Sequence, residues 1–264
     1  WSNYKKHGEG SYKYVNGSVY KGSYVNDKEH GYGEYRWPNG SHYKGNWVDG
    51  KKNGYGEYIW SNGAHYEGLW QDNKKHGEGK YEYPDGSTYT GFYRNDKEHG
   101  YGTYIWREGA HYTGEWKDGM RHGKGLFHWA NGAEYEGEFF ESKTHGQGIY
   151  RYKDGSYYKG EFKGGQRHGY GEYVWDDGAK YVGNWANGKK HGEGMYTNAN
   201  GKVTKGIWKN GVPVKTIAVR RTTSSSGELS TSMHTNSSSE DLRELRTDCH
   251  RENTSGSMDD FSSI

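Results

Sequence analysis

A histidine followed by Gly-x-Gly recurs at His7, His30, His76, His99, His122, His145, His168 and His191. Imidazoles at a fixed interval suggest metal ligation. Zinc, however, needs every ligand about 2 Å from one ion. Equivalent positions in successive hairpins stand two strands apart, about 10 Å, so one imidazole per hairpin cannot converge on a metal. The ladder is read as structural, each ring closing its hairpin by packing or by a hydrogen bond to backbone. The Gly-x-Gly elements suggest a second chemistry, a phosphate cradle. Such a cradle opens a helix after a strand, and here each one leads into another alternating, strand-like run. Glycines that make room for rings are the preferred reading. No nucleophile–base pair and no isolated acid pair emerges, and Asp and Glu recur as periodic surface residues. The chain is expected to be no enzyme, with no cofactor and no metal.

The chemistry that remains is binding by aromatic rings. Trp37, Trp47, Trp60, Trp70, Trp106, Trp116, Trp129, Trp175 and Trp185 all fall on one expected face. Many of these rings must pack on their neighbours, but the sequence supplies no second layer to cover them. An exposed aromatic groove is a partner site, and a curved sheet suits an amphipathic helix or an extended peptide. On the opposite face, Leu69 with Ile59 and Phe92 with Ile105 are expected to form small apolar patches, a second candidate contact.

The elements that position these rings follow from a strict period. Tyr-x-Gly occurs at Tyr20, Tyr43, Tyr66, Tyr89, Tyr112, Tyr135, Tyr158 and Tyr181, always 23 residues apart, and Thr204-Lys205-Gly206 is a degenerate ninth copy. Residues 20–203 form eight full units without insertion, and residues 1–19 match the later part of another. The chain is thus expected to begin inside a repeat. Within one unit, YKGNWV and GYGEYIW alternate ring or glycine with polar residues, which argues for half-buried strands. DGKKN between them reads as a turn, and SNGAH after them carries the Asn-Gly hairpin signal. Tyr43, Gly45 and Trp47 share a face, as do Gly54, Gly56, Tyr58 and Trp60. A ring can lie flat over a glycine backbone, and each ring buries about 150–250 Å². One unit cannot fold alone, but stacked units cover each other's rings. The expectation is an all-β, elongated, single-layer antiparallel meander of 17–18 strands, roughly 80 Å long at about 4.8 Å per strand. Its rival is a parallel β-helix in which Tyr43–Trp47 pairs in parallel with Tyr66–Trp70.

Composition agrees. Only 30% of residues are hydrophobic, while 17% are aromatic and 44 are glycine, too few aliphatics for an ordinary core. The single cysteine, Cys249, excludes an internal disulfide framework and fits a reducing compartment. No apolar run approaches the roughly 20 residues of a membrane-spanning helix. Net charge is +4 over residues 1–214 and −2 over 215–264, neither a strong electrostatic footprint, so no nucleic acid is expected as a partner. All but one of the aromatics precede Lys215. The domains are therefore set at 1–214 for the array and 215–264 for a Ser/Thr-rich disordered tail. In the tail, Arg220-Arg221-Thr222-Thr223 resembles a basophilic kinase site, which makes Thr223 a candidate phosphosite. Residues 240–251 are read either as a solvated linker or as a short helix formed only against a surface, with Leu242 and Leu245 as the docking pair. Two leucines bury too little to hold that helix alone.

The unit YKGNWVDGKKNGYGEYIWSNGAH resembles the MORN repeat, and YTGEWKDGMRHGKGLFHWANGAE (112–134) resembles it more closely still. The resemblance spans residues 1 to about 212. Small departures are Asn53 for His, Glu108 before Gly109, and Asn198 at a ring position. The resemblance implies a twisted single-layer sheet acting as a scaffold. Members of the family serve the cytoskeleton, including radial spoke heads of cilia, and the family name itself refers to membranes. Three functions compete. The first is a scaffold for protein partners in a cytoskeletal assembly such as a ciliary or flagellar axoneme, cytoplasmic in location. The second is a membrane-apposed module binding anionic phospholipid, for which no cluster of 4–8 basic residues speaks. The third is a bacterial surface repeat binding cell-wall glycan or choline, against which the His-Gly-x-Gly element stands.

Overall fold

The computed structural model describes residues 5–223 and 229–233. It is all-β among those residues and divides into two compact units, residues 1–130 and 131–264. The first unit holds β1 (Gly8–Lys13), β2 (Val19–Val25), β3 (Lys28–Arg36), β4 (His42–Val48), β5 (Lys51–Ile59), β6 (His65–Gln71), β7 (Lys74–Glu82), β8 (Thr88–Arg94), β9 (Lys97–Ile105), β10 (His111–Lys117) and β11 (Met120–His128). The second holds β12 (Glu134–Phe140), β13 (Lys143–Arg151), β14 (Tyr157–Lys163), β15 (Gln166–Val174), β16 (Lys180–Ala186), β17 (Lys189–Thr197), β18 (Val203–Lys209), β19 (Val212–Thr223) and β20 (Leu229–Met233). Within each unit every strand pairs antiparallel with the next in sequence. Tyr58 thus faces Tyr43 on one side and Tyr66 on the other. That register excludes the parallel β-helix. The expected boundary at 214/215 falls inside β19, whose Lys215 pairs with Ile207 of β18.

Two turns alternate. Asp49-Gly50, between β4 and β5, has φ of 51° and 79°. Positive φ at both central residues is the two-residue hairpin turn whose twist matches the strands. The longer turn runs Trp37-Pro38-Asn39-Gly40-Ser41. There the Trp37 N–H donates to the Ser41 carbonyl at 2.9 Å, the Gly40 N–H to the Trp37 carbonyl at 3.1 Å, and the Asn39 Oδ1 accepts from the Ser41 N–H at 3.0 Å.

The first turn is shorter than the sequence suggests. DGKKN does not form a turn throughout: β5 starts at Lys51, and Lys52 pairs with Trp47. The next hairpin pins it there, since the Asn73 N–H donates to the Lys52 carbonyl at 3.0 Å and the Lys52 N–H donates to Asn73 Oδ1 at 2.8 Å. A bulge follows, in which Asn46 stands opposite Asn53, Gly54 and Tyr55. Gly54 has φ 84°, a left-handed conformation that costs glycine no steric strain. The Asn46 Nδ2 donates to the Tyr55 carbonyl across this bulge at 3.2 Å. In later copies Glu115 and Glu138 accept from the Lys124 and Gln147 N–H groups at 2.9 and 3.1 Å.

The histidine ladder sits just before the bulge glycine, not at the loop tip. Nδ1 of His30 and of His76 is buried with no hydrogen-bond partner among the described residues. Nδ1 of these two rings therefore makes no bond to backbone. Among the described residues no three His, Cys, Asp or Glu side chains could hold a metal.

Candidate functional site

The ring face is built from three aromatic rows and one charged row. The deepest row is Tyr20, Tyr43, Tyr66, Tyr89 and Tyr112 in the first unit and Tyr135, Tyr158 and Tyr181 in the second, all fully buried. Each lies along its strand over the paired glycines. A Cβ on Gly68 would stand 2.5 Å from the Gly79 Cα and 2.7 Å from the Tyr66 hydroxyl. Each hydroxyl donates to the carbonyl three residues on, as in Tyr66 to Leu69 at 2.9 Å. Glycine is required here because only a bare backbone leaves room for a ring.

The second row includes four of the nine expected tryptophans. Trp47, Trp70, Trp116 and Trp185 are only 5%, 4%, 8% and 2% exposed. Their indole N–H groups donate to the carbonyls of Gly33, Gly56, Gly102 and Gly171 in the preceding hairpin at 3.1–3.3 Å. Their rings meet the deep tyrosines edge-on: Tyr43 touches Trp47 at 5.1 Å and Trp70 at 5.5 Å, with ring planes 88° and 84° apart. These four bind one hairpin to the next and leave little ring for a partner.

Trp37, Trp60, Trp106, Trp129 and Trp175 form the third row and are half-buried. Each lies against the ring two residues earlier, as Trp60 does on Tyr58 at 4.3 Å. The candidate contact surface is this row. It is more open beside Tyr35, Tyr58, Tyr81 and Tyr104, which are also half-buried, than beside Phe127, Tyr150, Tyr173 and Tyr196, which are buried.

The charged row was missed by the sequence reading. Because the strand begins at Lys51, Lys52 points to the ring face together with Gly56, Tyr58 and Trp60. The even-numbered alternation carried back to Lys52 would have found it, although Gly54, expected on the ring face, stands at the bulge against Asn46 on the outer face. The equivalents are Lys6, Glu29, Lys75, Glu98 and Arg121 in the first unit and Thr144, Arg167, Lys190 and Pro213 in the second. The Lys52 ammonium rests 4.0 Å from the Trp70 ring centroid and 4.4 Å from Tyr58, and Lys75 rests 4.2 Å from Tyr81. Arg167 lies 4.5 Å from Trp185, and Lys190, only 2% exposed, lies 4.8 Å from Trp175. Cation–π attraction of this kind contributes about 0.5–2 kcal/mol depending on desolvation. Burial lowers the Lys52 ammonium to about 8, with a small opposing pull from Asp96, and lowers the Arg121 guanidinium to about 10. Burial also lowers Lys75, opposed by Glu98 and Asp96. The two glutamates have hydroxyl donors instead, Tyr14 to Glu29 and Tyr83 to Glu98 at 3.1 Å. Burial raises the Tyr83 and Tyr93 hydroxyls far above the usual phenol value, and the Glu98 carboxylate adds to the effect.

The outer face does not carry the expected patches. Leu69 pairs with Tyr55 while Ile59 pairs with His65, and Phe92 pairs with Glu78 while Ile105 pairs with Thr88. Leu69 and Phe92 sit over the bulge glycines Gly77 and Gly100, and the register leaves them four residues along the strand from the isoleucines. What the outer face does present is the exposed row Tyr32, Tyr55 and Tyr101 in the first unit and Tyr170 in the second. Thr223 ends β19 and pairs with Leu229. Leu242, Leu245 and the segment 240–251 lie outside the described residues.

Comparison with solved structures returns distant resemblances. The TCP domain of Drosophila melanogaster SAS-4 is 15% identical, covering 67% of this chain and 90% of that one, with a TM-score of 0.36. The TCP10 domain of Danio rerio CPAP is 10% identical, covering 75% and 93%, with a TM-score of 0.29. A virginiamycin B lyase of Staphylococcus aureus is 10% identical, covering 90% and 88%, with a TM-score of 0.17. None of these scores supports a functional argument. No curated protein matches the chain. A profile described as MORN repeat matches nine consecutive segments: 1–19, 20–42, 43–65, 66–88, 89–111, 112–134, 135–157, 158–180 and 181–203. With the same 23-residue unit now visible as hairpins glued through their tyrosines and tryptophans, the chain belongs to the MORN-repeat family.

Proposed function

We propose that the array is a non-enzymatic scaffold that holds protein partners in a cytoskeletal assembly, the radial spoke head of a ciliary axoneme being the best-fitting case. MORN repeats in general are structural and mediate protein or lipid contacts. The observation that favours a protein partner here is the half-buried row Trp37, Trp60, Tyr83 and Trp106, a rail of rings set in a sheet whose deeper rows already pack it. Rings exposed on a stiff support are the usual anchors of protein interfaces. The axonemal assignment rests on the family.

The test is fractionation of ciliated cells expressing the tagged full chain. The protein is expected in detergent-insoluble axonemes, with immunogold label at spoke heads. Trp37→Ala with Trp60→Ala is expected to shift it to the soluble fraction. Recovery of the wild-type chain with detergent-soluble membranes, or unchanged retention of the folded double variant, would refute the reading.

A further inference from the structure

We infer that the ring face of the first unit reads a polyproline II segment whose every third residue is charged, in the order basic, acidic, acidic, basic. This rests on the scaffold reading and names the partner's chemistry. Between Lys6 and the buried Arg121, which flank them in the same row, the four consecutive positions Glu29, Lys52, Lys75 and Glu98 give the charge order −, +, +, −, and all four are half-buried among rings. The Lys52 and Lys75 ammonium groups lie on ring faces, and neither forms an ion pair among the described residues. A partner covering them would desolvate two cations, which is costly unless it brings two carboxylates. Glu29 and Glu98 each accept one tyrosine hydroxyl, which leaves acceptor sites for a cationic side chain at either end.

Pitch selects the backbone of the partner. Successive hairpins advance about 9.6 Å. A β-strand cannot match, because residues three apart point to opposite faces. An α-helix repeats its face every seven residues, about 10.5 Å, and accumulates roughly 3 Å of mismatch from Glu29 to Glu98. A polyproline II helix repeats every three residues, about 9.3 Å, and drifts by only about 1 Å over the same span. Trp37, Trp60 and Tyr83 run beside the charges at the same pitch and offer the flat rings on which proline-rich segments dock. The charge order is the same read from either end, so the charges do not fix the direction of the bound segment.

The test uses three decapeptides of identical composition and zero net charge, titrated into the full chain by calorimetry: RPPEPPEPPR, the order-reversed EPPRPPRPPE and the register-broken RPEPPPPEPR. The first is expected to bind at least tenfold tighter than the other two. K52Q/K75Q, checked for folding by circular dichroism, is expected to bring it down to their level. Equal affinities for the three, absence of saturable binding of the first at millimolar peptide, or preference for a helical peptide carrying the same charges seven residues apart would each overturn the inference. The peptide series on the wild-type chain decides even if the variant fails to fold. If it fails while Trp37→Ala/Trp60→Ala still releases the protein from axonemes, only the polyproline inference falls. If the double variant stays bound, the scaffold reading falls with it.

Discussion

Replacing Gly68 by valine tests the packing rule on which every repeat depends. The new Cβ would sit 2.5 Å from the Gly79 Cα, 2.6 Å from the Glu78 carbonyl oxygen and 2.7 Å from the Tyr66 hydroxyl. Two of these atoms belong to the backbone of the partner strand, so they can move only if β6 and β7 part by about 1 Å. Overpacking of this kind costs about 1–3 kcal/mol. The displaced Tyr66 hydroxyl also loses its bond to the Leu69 carbonyl, 2.9 Å long in the native chain, for about 1 kcal/mol more. The expected loss is about 2–4 kcal/mol. Because the clash begins at Cβ, Gly68→Ala should show most of it. Lys74→Ala is the control: Lys74 is exposed beside the turn, where changes stay within about 0.5 kcal/mol. Urea unfolding followed by tryptophan fluorescence reports the loss, since Trp70 lies 5.1 Å from Tyr66. Amide exchange should locate it in β6 and β7. Equal midpoint shifts for Gly68→Val and Lys74→Ala would refute the ring-over-glycine account.

Trp70→Ala should cost about 3–5 kcal/mol, as large aromatic truncations in cores do, whereas Trp60→Ala should cost less than half as much and act mainly on partner binding; paired urea unfolding and axoneme-retention measurements check the split. Lys52 falls from the ordinary 10.5 to about 8 through burial, so between those values the unfolded chain binds more protons and stability rises with pH. Lys52→Met should therefore exceed wild type in stability at pH 7, with the gap closing towards pH 10.5 in a series of urea midpoints. The opposite sign applies to the deep tyrosines. Burial raises Tyr43 and Tyr66 far above their ordinary 10.0, and Tyr150 to about 12, so stability present below pH 10 should be lost as pH rises beyond it, seen by circular dichroism. Glu98→Lys should be partly rescued by Tyr83→Trp, because Glu98 relies on the Tyr83 hydroxyl while Arg121 and Lys190 lie against Trp106 and Trp175; a double-mutant cycle should return a coupling of about 0.5–3 kcal/mol.

Much of this protein was determined by the sequence alone. The 23-residue period, the ring–glycine alternation and the Asn-Gly and Asp-Gly turns each fix a local conformation, and together they leave an antiparallel meander as the arrangement that covers the rings. Tyr43 over Gly45 and Gly56 is legible in this way because strand alternation and the missing glycine side chain both act within a few residues. Other features were decided only by contacts between hairpins. Lys52 enters the ring face because Asn73, twenty-one residues on, holds its backbone at both N–H and carbonyl; nothing within DGKKN itself tells a turn from a strand start. Trp47 and Trp60 look alike in sequence, yet the first donates its indole N–H to Gly33 of the preceding hairpin and is buried, while the second stays half-open. The apolar patches expected of Leu69 and Phe92 fail for a related reason. Register sets Leu69 opposite Tyr55 and Phe92 opposite Glu78, with each isoleucine four residues further along, and register is a property of two paired strands rather than of either one alone.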